Sequence, residues 1–148
     1  MLELAQGTMD KICFVDTSYL VALLHKKDEW HRAAVYWRDE VIRNHVFLIT
    51  TEYVLVELAN GLSALRFRKQ AEGTIMALQN SPDVKIIPGS NELFNAGFSI
   101  YCKYPDKGWS LTDCISFAVM KKQGLNEVLA TDKHFNQAGF KVLLHEKD

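Results

Sequence analysis

The chain has 148 residues, a net charge of −1, a hydrophobic fraction of 48% and a charged fraction of 24%. That balance describes one domain able to bury its own core, and it excludes a disordered chain and a uniformly basic nucleic-acid coat. No apolar run is long enough to span a membrane.

"MLELAQGTM" lacks a positive region followed by a sustained apolar core, so no signal peptide is expected. Residues 1–10 read as a short leader, and residues 11–148 as a single domain. The three cysteines, Cys13, Cys102 and Cys114, have no CxxC or Cys/His metal spacing. They are expected to be reduced, buried thiols of a cytoplasmic protein.

"KICFVD" (11–16) is a short run of strand formers, and "TSYLVALLH" (17–25) follows at once as a helix. "DEWHRAAVYWRDEVIRNH" (28–45) has Asp28 as a candidate cap and an apolar stripe of Trp30, Ala33, Ala34, Trp37 and Val41. "VFLIT" (46–50) is a second strand. "TEYVLVELANGLSAL" (51–65) reads as a helix with Val54, Leu55, Leu58, Leu62 and Leu65 on one side. "RKQAEGTIMALQN" (68–80) is a more polar helix, and "VKIIP" (84–88) a third strand. "NELFNAGFSIYCKY" (91–104) is a helix ended by the loop "PDKGW". "SLTDCISFAVMKK" (110–122) is a buried helix whose Ser110 and Asp113 form a capping box with Asp in place of Glu. "EVLAT" (127–131), "DKHFNQAG" (132–139) and "FKVLL" (140–144) complete the chain as strand, short capped helix and strand.

Strands alternate with helices throughout, and the strands are apolar on both faces. That pattern belongs to a three-layer α/β/α sandwich around a central parallel sheet of about five strands. In such sheets ligands bind at the carboxyl ends of the strands. Four acids fall there: Asp16 ends the first strand, Asp132 follows the fourth, Glu57 lies within two turns of the second, and Asp113 opens a helix that runs back against the sheet. Each also has a plainer explanation. Asp16, Asp113 and Asp132 sit where helix caps sit, and Glu57 can face solvent with Tyr53 and Asn60. Together, however, four carboxylates on one edge repel one another unless a cation joins them. An oxygen-only set suits Mg2+ or Mn2+ rather than zinc.

These pieces resemble the PIN domain, the nuclease fold of many toxin–antitoxin ribonucleases of the VapC type. The resemblance is carried by "FVDTSYLVALL" (14–24), "TTEYVLVELANGL" (50–62), "SLTDCISFAVMKKQG" (110–124) and "VLATDKHFNQAGFKVL" (128–143), in family order and spacing. It implies metal-dependent hydrolysis of RNA phosphodiesters, with Asp16, Glu57, Asp113 and Asp132 as the four acidic positions. On that reading Asp16 and Asp113 are the central ligands, while Glu57 and Asp132 complete the cage or act through water. Thr17 or Ser18 matches the hydroxyl after the first acid, and Ser110 the hydroxyl before the third; these would orient the ligands. The family also implies a homodimer and a partner antitoxin.

Candidate RNA contacts are Arg66, Arg68 and Lys69 in "LRFRKQ", and Lys107 and Lys133 near the acidic edge; each is equally readable as solvated surface charge. His134 reads as surface or packing, and Trp109 and Tyr53 as core or rim before base-stacking platforms. Two rivals stand beside the nuclease. A haloacid-dehalogenase-type phosphatase needs an Asp where Ser18 stands. A non-catalytic α/β interaction module would use the aromatics of residues 28–45 and would not need an intact acidic set.

Overall fold

A computed structural model describes residues 9–144. The leader expected at residues 1–10 therefore lies mostly outside the described residues, as do residues 145–148. Met9, where the description begins, is buried in the core, and the Asp10 N–H donates to Glu127 Oε1 at 2.8 Å.

Five strands, β1 (Ile12–Val15), β2 (Phe47–Thr51), β3 (Val84–Ile87), β4 (Glu127–Leu129) and β5 (Lys141–Val142), form one sheet in the order 3-2-1-4-5. All four pairings are parallel. Among the described residues seven helices accompany them: α1 (Thr17–Leu24), α2 (His31–Arg43), α3 (Glu52–Gly61), α4 (Leu65–Asn80), α5 (Asn91–Lys103), α6 (Leu111–Gln123) and α7 (His134–Gln137). The chain builds outward from β1 through β2 to β3, then crosses back to β4 on the other side of β1. With right-handed crossovers, that reversal puts the first helices and the later ones on opposite faces of the sheet. It also opens a crevice between β1 and β4 at their carboxyl ends, where direction switches. Phe14 pairs with Val128 and Val15 with Leu129, so Asp16 and Asp132 emerge side by side from adjacent strands.

The core is continuous. Phe14, Leu58, Ile115, Met120, Leu129 and Phe135 are among its fully buried side chains. Helix α6 is anchored at both ends. Its N-terminus carries the complete Ser110–Asp113 capping box. At its C-terminus Gly124 adopts φ +70°, and the Leu125 N–H reaches Met120 O at 2.8 Å, closing a Schellman turn that only glycine enters without strain. Helix α5 packs tightly on α6 at Gly97, where a built Cβ would lie 2.3 Å from Ile115 Cγ1.

Three expectations need correction. The helix read over 51–65 stops at Gly61, and α4 starts at Leu65, which is 87% exposed rather than part of an apolar stripe. Gly61 weakens the helix, and Leu62 turns into the core, so the chain kinks there and the heptad-like spacing to Leu65 is accidental. Asp28 does not cap α2. Its Oδ1 accepts the Trp30 N–H at 2.8 Å in a local turn, and α2 begins later without a side-chain cap. Cys102 is exposed, whereas Cys13 and Cys114 are buried; all three are free thiols. Among the described residues no helix is long and apolar enough to cross a membrane.

Candidate active site

Asp16 is the N-cap of α1 and only 3% exposed. Its backbone N–H still belongs to the sheet, donating to Leu129 O at 3.0 Å. Oδ2 accepts two hydrogen bonds from Ser18, from its N–H at 3.0 Å and its hydroxyl at 2.6 Å. The same hydroxyl oxygen accepts the Thr131 N–H at 2.9 Å, so Ser18 ties the end of β1 to the loop after β4. Oδ1 is buried with no hydrogen-bond partner among the described residues. A buried carboxylate oxygen left unpaired is costly. Burial pushes the Asp16 carboxyl up to about 7, against the two Ser18 hydrogen bonds and with the charges of Asp113 and Glu57 adding to the rise.

Asp113 does the two jobs that its position in the sequence allows. As the third residue of α6 its Oδ2 accepts the Ser110 N–H at 3.2 Å, while its own N–H donates to Ser110 Oγ at 3.0 Å. It also faces the crevice, buried, and burial raises its pKa. Hydrogen bonds from His134 and Ser110 oppose that rise, and Asp132 adds to it.

Glu57 is half-buried. Its Oε1 accepts the Thr17 hydroxyl at 2.5 Å, which locks α3 against the first residue of α1. Asp132 turns back over its own loop, Oδ1 accepting the His134 N–H at 2.9 Å. The mutual electrostatics of Asp16 with Asp113 and Glu57, and of Asp113 with Asp132, place the four acids in one field. By geometry Asp113 and Asp132 group with His134, and Asp16 feels the charges of Asp113 and Glu57.

The sequence places His134 near the acidic edge but reads it as surface or packing, whereas the structure sets its ring between two acids. Its Nδ1 lies 3.0 Å from Asp113 Oδ2 and 3.1 Å from Asp132 Oδ2. With both carboxylates ionised, a hydrogen on Nδ1 would be shared between the two acids. Asp113, Asp132 and His134 each offer a ligand atom, all within 4.8 Å of one another, so the set is not purely oxygen. The one signal in the sequence was the Asp-x-His spacing of "DKH", which is too short to be read without the packing of α7 on α6.

The other candidates separate. Ser110, Thr17 and Ser18 each bond an acid, as described. Ser18 is committed to Asp16 and Thr131, so the second carboxylate of a haloacid-dehalogenase site has no counterpart there. Lys107 and Lys133 are exposed beside the site. Arg66, Arg68 and Lys69 are exposed at the start of α4, where Phe67 packs on His25 at 4.9 Å. His25 caps the far end of α1, roughly 12 Å of helix from Asp16. Trp109 is core. It packs edge-on against Phe117 at 5.0 Å, and its indole N–H donates to Gln137 Oε1 at 2.9 Å. Tyr53 is half-buried, its hydroxyl donating to Ser90 O at 3.3 Å. In α2, Trp30 and Trp37 pack on the core while Tyr36 stays exposed.

The strand order and the buried carboxylates at its switch point define a three-layer α/β domain with an acidic, cation-type crevice. The chain belongs to the PIN domain family, whose model matches residues 13–141. It is similar to the 23S rRNA-specific endonuclease VapC20 of Mycobacterium tuberculosis, at 29% identity over 128 residues covering 86% of this chain and 94% of that protein. The crystal structure of VapC20, described as a Sarcin-Ricin loop cleaving toxin, matches with a TM-score of 0.74 at 28% identity, covering 87% of this chain and 95% of the other. FitAcB from Neisseria gonorrhoeae matches with a TM-score of 0.62 at 23% identity, covering 91% and 99% of the two chains. At that identity the likeness speaks for the fold alone.

Proposed function

We propose that this protein is a divalent-metal-dependent endoribonuclease, the toxin of a toxin–antitoxin pair. The observation that carries the reading is Asp16 Oδ1, a buried carboxylate oxygen without a partner among the described residues, which feels the charges of Asp113 and Glu57. Membership of the PIN family and similarity to an RNA endonuclease along nearly its whole length support RNA as the substrate.

The donor set fits a hard divalent cation such as Mg2+ or Mn2+. Asp16 and Asp113 would hold it, with Asp132 and Glu57 completing the cage or acting through water. Such an ion, when bound, lowers the pKa of a water and offsets charge building on the phosphoryl oxygens. The protein's own residues do the rest. Ser18 fixes Asp16 so that Oδ1 points free. Ser110 and His134 hold Asp113 by one oxygen, and Thr17 holds Glu57 by one. Hydrogen-bonded ligands of this kind keep a site in one geometry before substrate arrives.

Arg66, Arg68, Lys69, Lys107 and Lys133 are proposed phosphate contacts. The toxin reading adds an antitoxin as partner and a homodimer as the working assembly. Incubating purified protein with a mixed RNA pool and Mg2+ or Mn2+, beside Asp16→Asn and an EDTA control, tests the proposal. Cutting that needs both the metal and Asp16 is expected. Cutting that survives Asp16→Asn or EDTA would overturn it.

A further inference from the structure

Two clefts flank the loop between α5 and α6 and share part of their lining. One, of about 260 Å³, lies between α5, α6 and α7, and Lys103, Lys107 and Lys121 line it beside Tyr104. The other, of about 530 Å³, is walled by Phe98, Tyr101, Tyr104 and Lys107. They meet at Tyr104, Lys107 and Trp109. No acidic side chain lines either cleft. Asp106, exposed between Pro105 and Lys107, is in neither lining. On a chain of net charge −1, three lysines around an acid-free cleft are a local reversal of sign.

The aromatic wall is also ordered. Phe94, Phe98 and Tyr101 recur at helical spacing along α5 and are 41%, 45% and 46% exposed. Their rings lie nearly parallel, at interplanar angles of 18° for Phe94–Phe98 and 17° for Phe98–Tyr101, with centroids 6.0 and 6.2 Å apart. Exposed aromatics in one stripe cost hydration unless something covers them. Lys103 lies over the Tyr104 ring at 5.5 Å, joining the lysines to the stripe. The surface meets the acidic crevice at Gly108. Gly108 lines the larger cleft, and a Cβ built on it would lie 3.9 Å from His134 Nε2. Two residues later Ser110 holds Asp113.

We infer that the α5–α6 loop surface is the track for the unpaired RNA strand flanking the scissile phosphate, with Lys103, Lys107 and Lys121 meeting its phosphates and Tyr101 and Phe98 stacking its bases. The inference rests on the ribonuclease reading and joins one of its proposed phosphate contacts, Lys107, to a continuous surface. Charge complementarity and continuity with the crevice select this occupant. Alternating cationic groups and π faces match the repeat of a single strand, in which each nucleotide offers one phosphate and one base face. A folded protein partner would need apolar cover without the lysines.

The test uses the full chain carrying Asp16→Asn, with Mg2+, and a fluorescent oligouridylate. Lys103→Ala, Lys107→Ala and Lys121→Ala combined should weaken binding at least tenfold. They should also flatten the salt dependence by about two units of slope, at about 0.7 per phosphate contact on a single strand. Lys26→Ala, Lys27→Ala and Lys85→Ala combined remove the same charge at exposed positions elsewhere and should do markedly less. Tyr101→Ala should lose about tenfold on the oligouridylate and almost nothing on an abasic strand of equal length. All these side chains are exposed, so unchanged urea melts verify the fold. Equal losses from the two triple variants, or none from the first, would overturn the track while wild-type cleavage of the RNA pool left the ribonuclease reading standing. No cleavage by the wild type and no RNA binding by Asp16→Asn would overturn both. If Phe98→Asp splits a dimer and leaves RNA binding unchanged, the stripe belongs to a second copy and the track is overturned.

Discussion

Replacing Asp16 by Asn should exchange activity for stability, and the exchange should depend on pH. The folded carboxyl titrates at about 7 against an ordinary 3.8, a difference worth about 4 kcal/mol at about 1.4 kcal/mol per pH unit. Below pH 3.8 the group is protonated in both folded and unfolded chains and contributes nothing to the pH dependence. Above that, the unfolded chain gives up the proton first. Stability therefore falls as pH rises towards 7 and levels off beyond it, where a buried, half-unpaired carboxylate is ionised. Asn has no proton to lose, so the variant should escape this slope. Urea unfolding in EDTA from pH 4.5 to 8 reads the difference directly. Asp113, also raised by burial, slopes both curves, less steeply in the variant because the repelling charge of Asp16 is gone. Wild type should lose a few kcal/mol relative to Asp16→Asn across the span. At pH 8, Mg2+ or Mn2+ should restore wild type and leave the variant unchanged, because a ligand that binds only the folded state stabilises it. Parallel pH curves for the two proteins would refute the reasoning, since Asp16 would then be no more strained by burial than an ordinary carboxylate.

Three further substitutions probe the supports of the site and the fold. Ser110→Ala removes the side-chain half of the α6 capping box and should cost about 1 kcal/mol in thermal unfolding, with metal binding by calorimetry unchanged, because the Ser110 N–H that holds Asp113 Oδ2 belongs to the backbone. His134→Ala frees both Asp113 and Asp132 from their shared donor and should weaken metal affinity about 10- to 100-fold, with circular dichroism unchanged. Gly97→Ala would drive a methyl into Ile115, whose Cα would be 2.8 Å away. Helices α5 and α6 must then part, at a cost of about 2 kcal/mol or more despite alanine's better helix propensity, read as a lowered melting temperature.

The fold was legible in the sequence because its signals are local. "KICFV", "VFLIT" and "EVLA" are short, apolar on both faces and separated by helical periods, which only a covered parallel sheet satisfies. The Ser110–Asp113 capping box and the acids at strand ends could be read for the same reason, since each is fixed by its place along one segment. Leu65 shows the limit of that kind of signal. It kept helical register with Leu58 and Leu62, yet the chain had already turned, and register along a segment says nothing about where the segment ends.

The tertiary structure alone decided what each polar group does once the segments meet. Asp16 could cap α1 or line the crevice; packing makes it do both, one oxygen for each, and leaves Oδ1 without a donor. His134 looked like surface until α7 folded against α6 and put its ring between two acids. The lysines of α5, the 105–109 loop and α6 are distant in sequence and share one cleft only in space. Hydrophobic period is a property of one segment, whereas burial, pairing and charge repulsion belong to the contacts between segments, and the chemistry of this protein lies in those contacts.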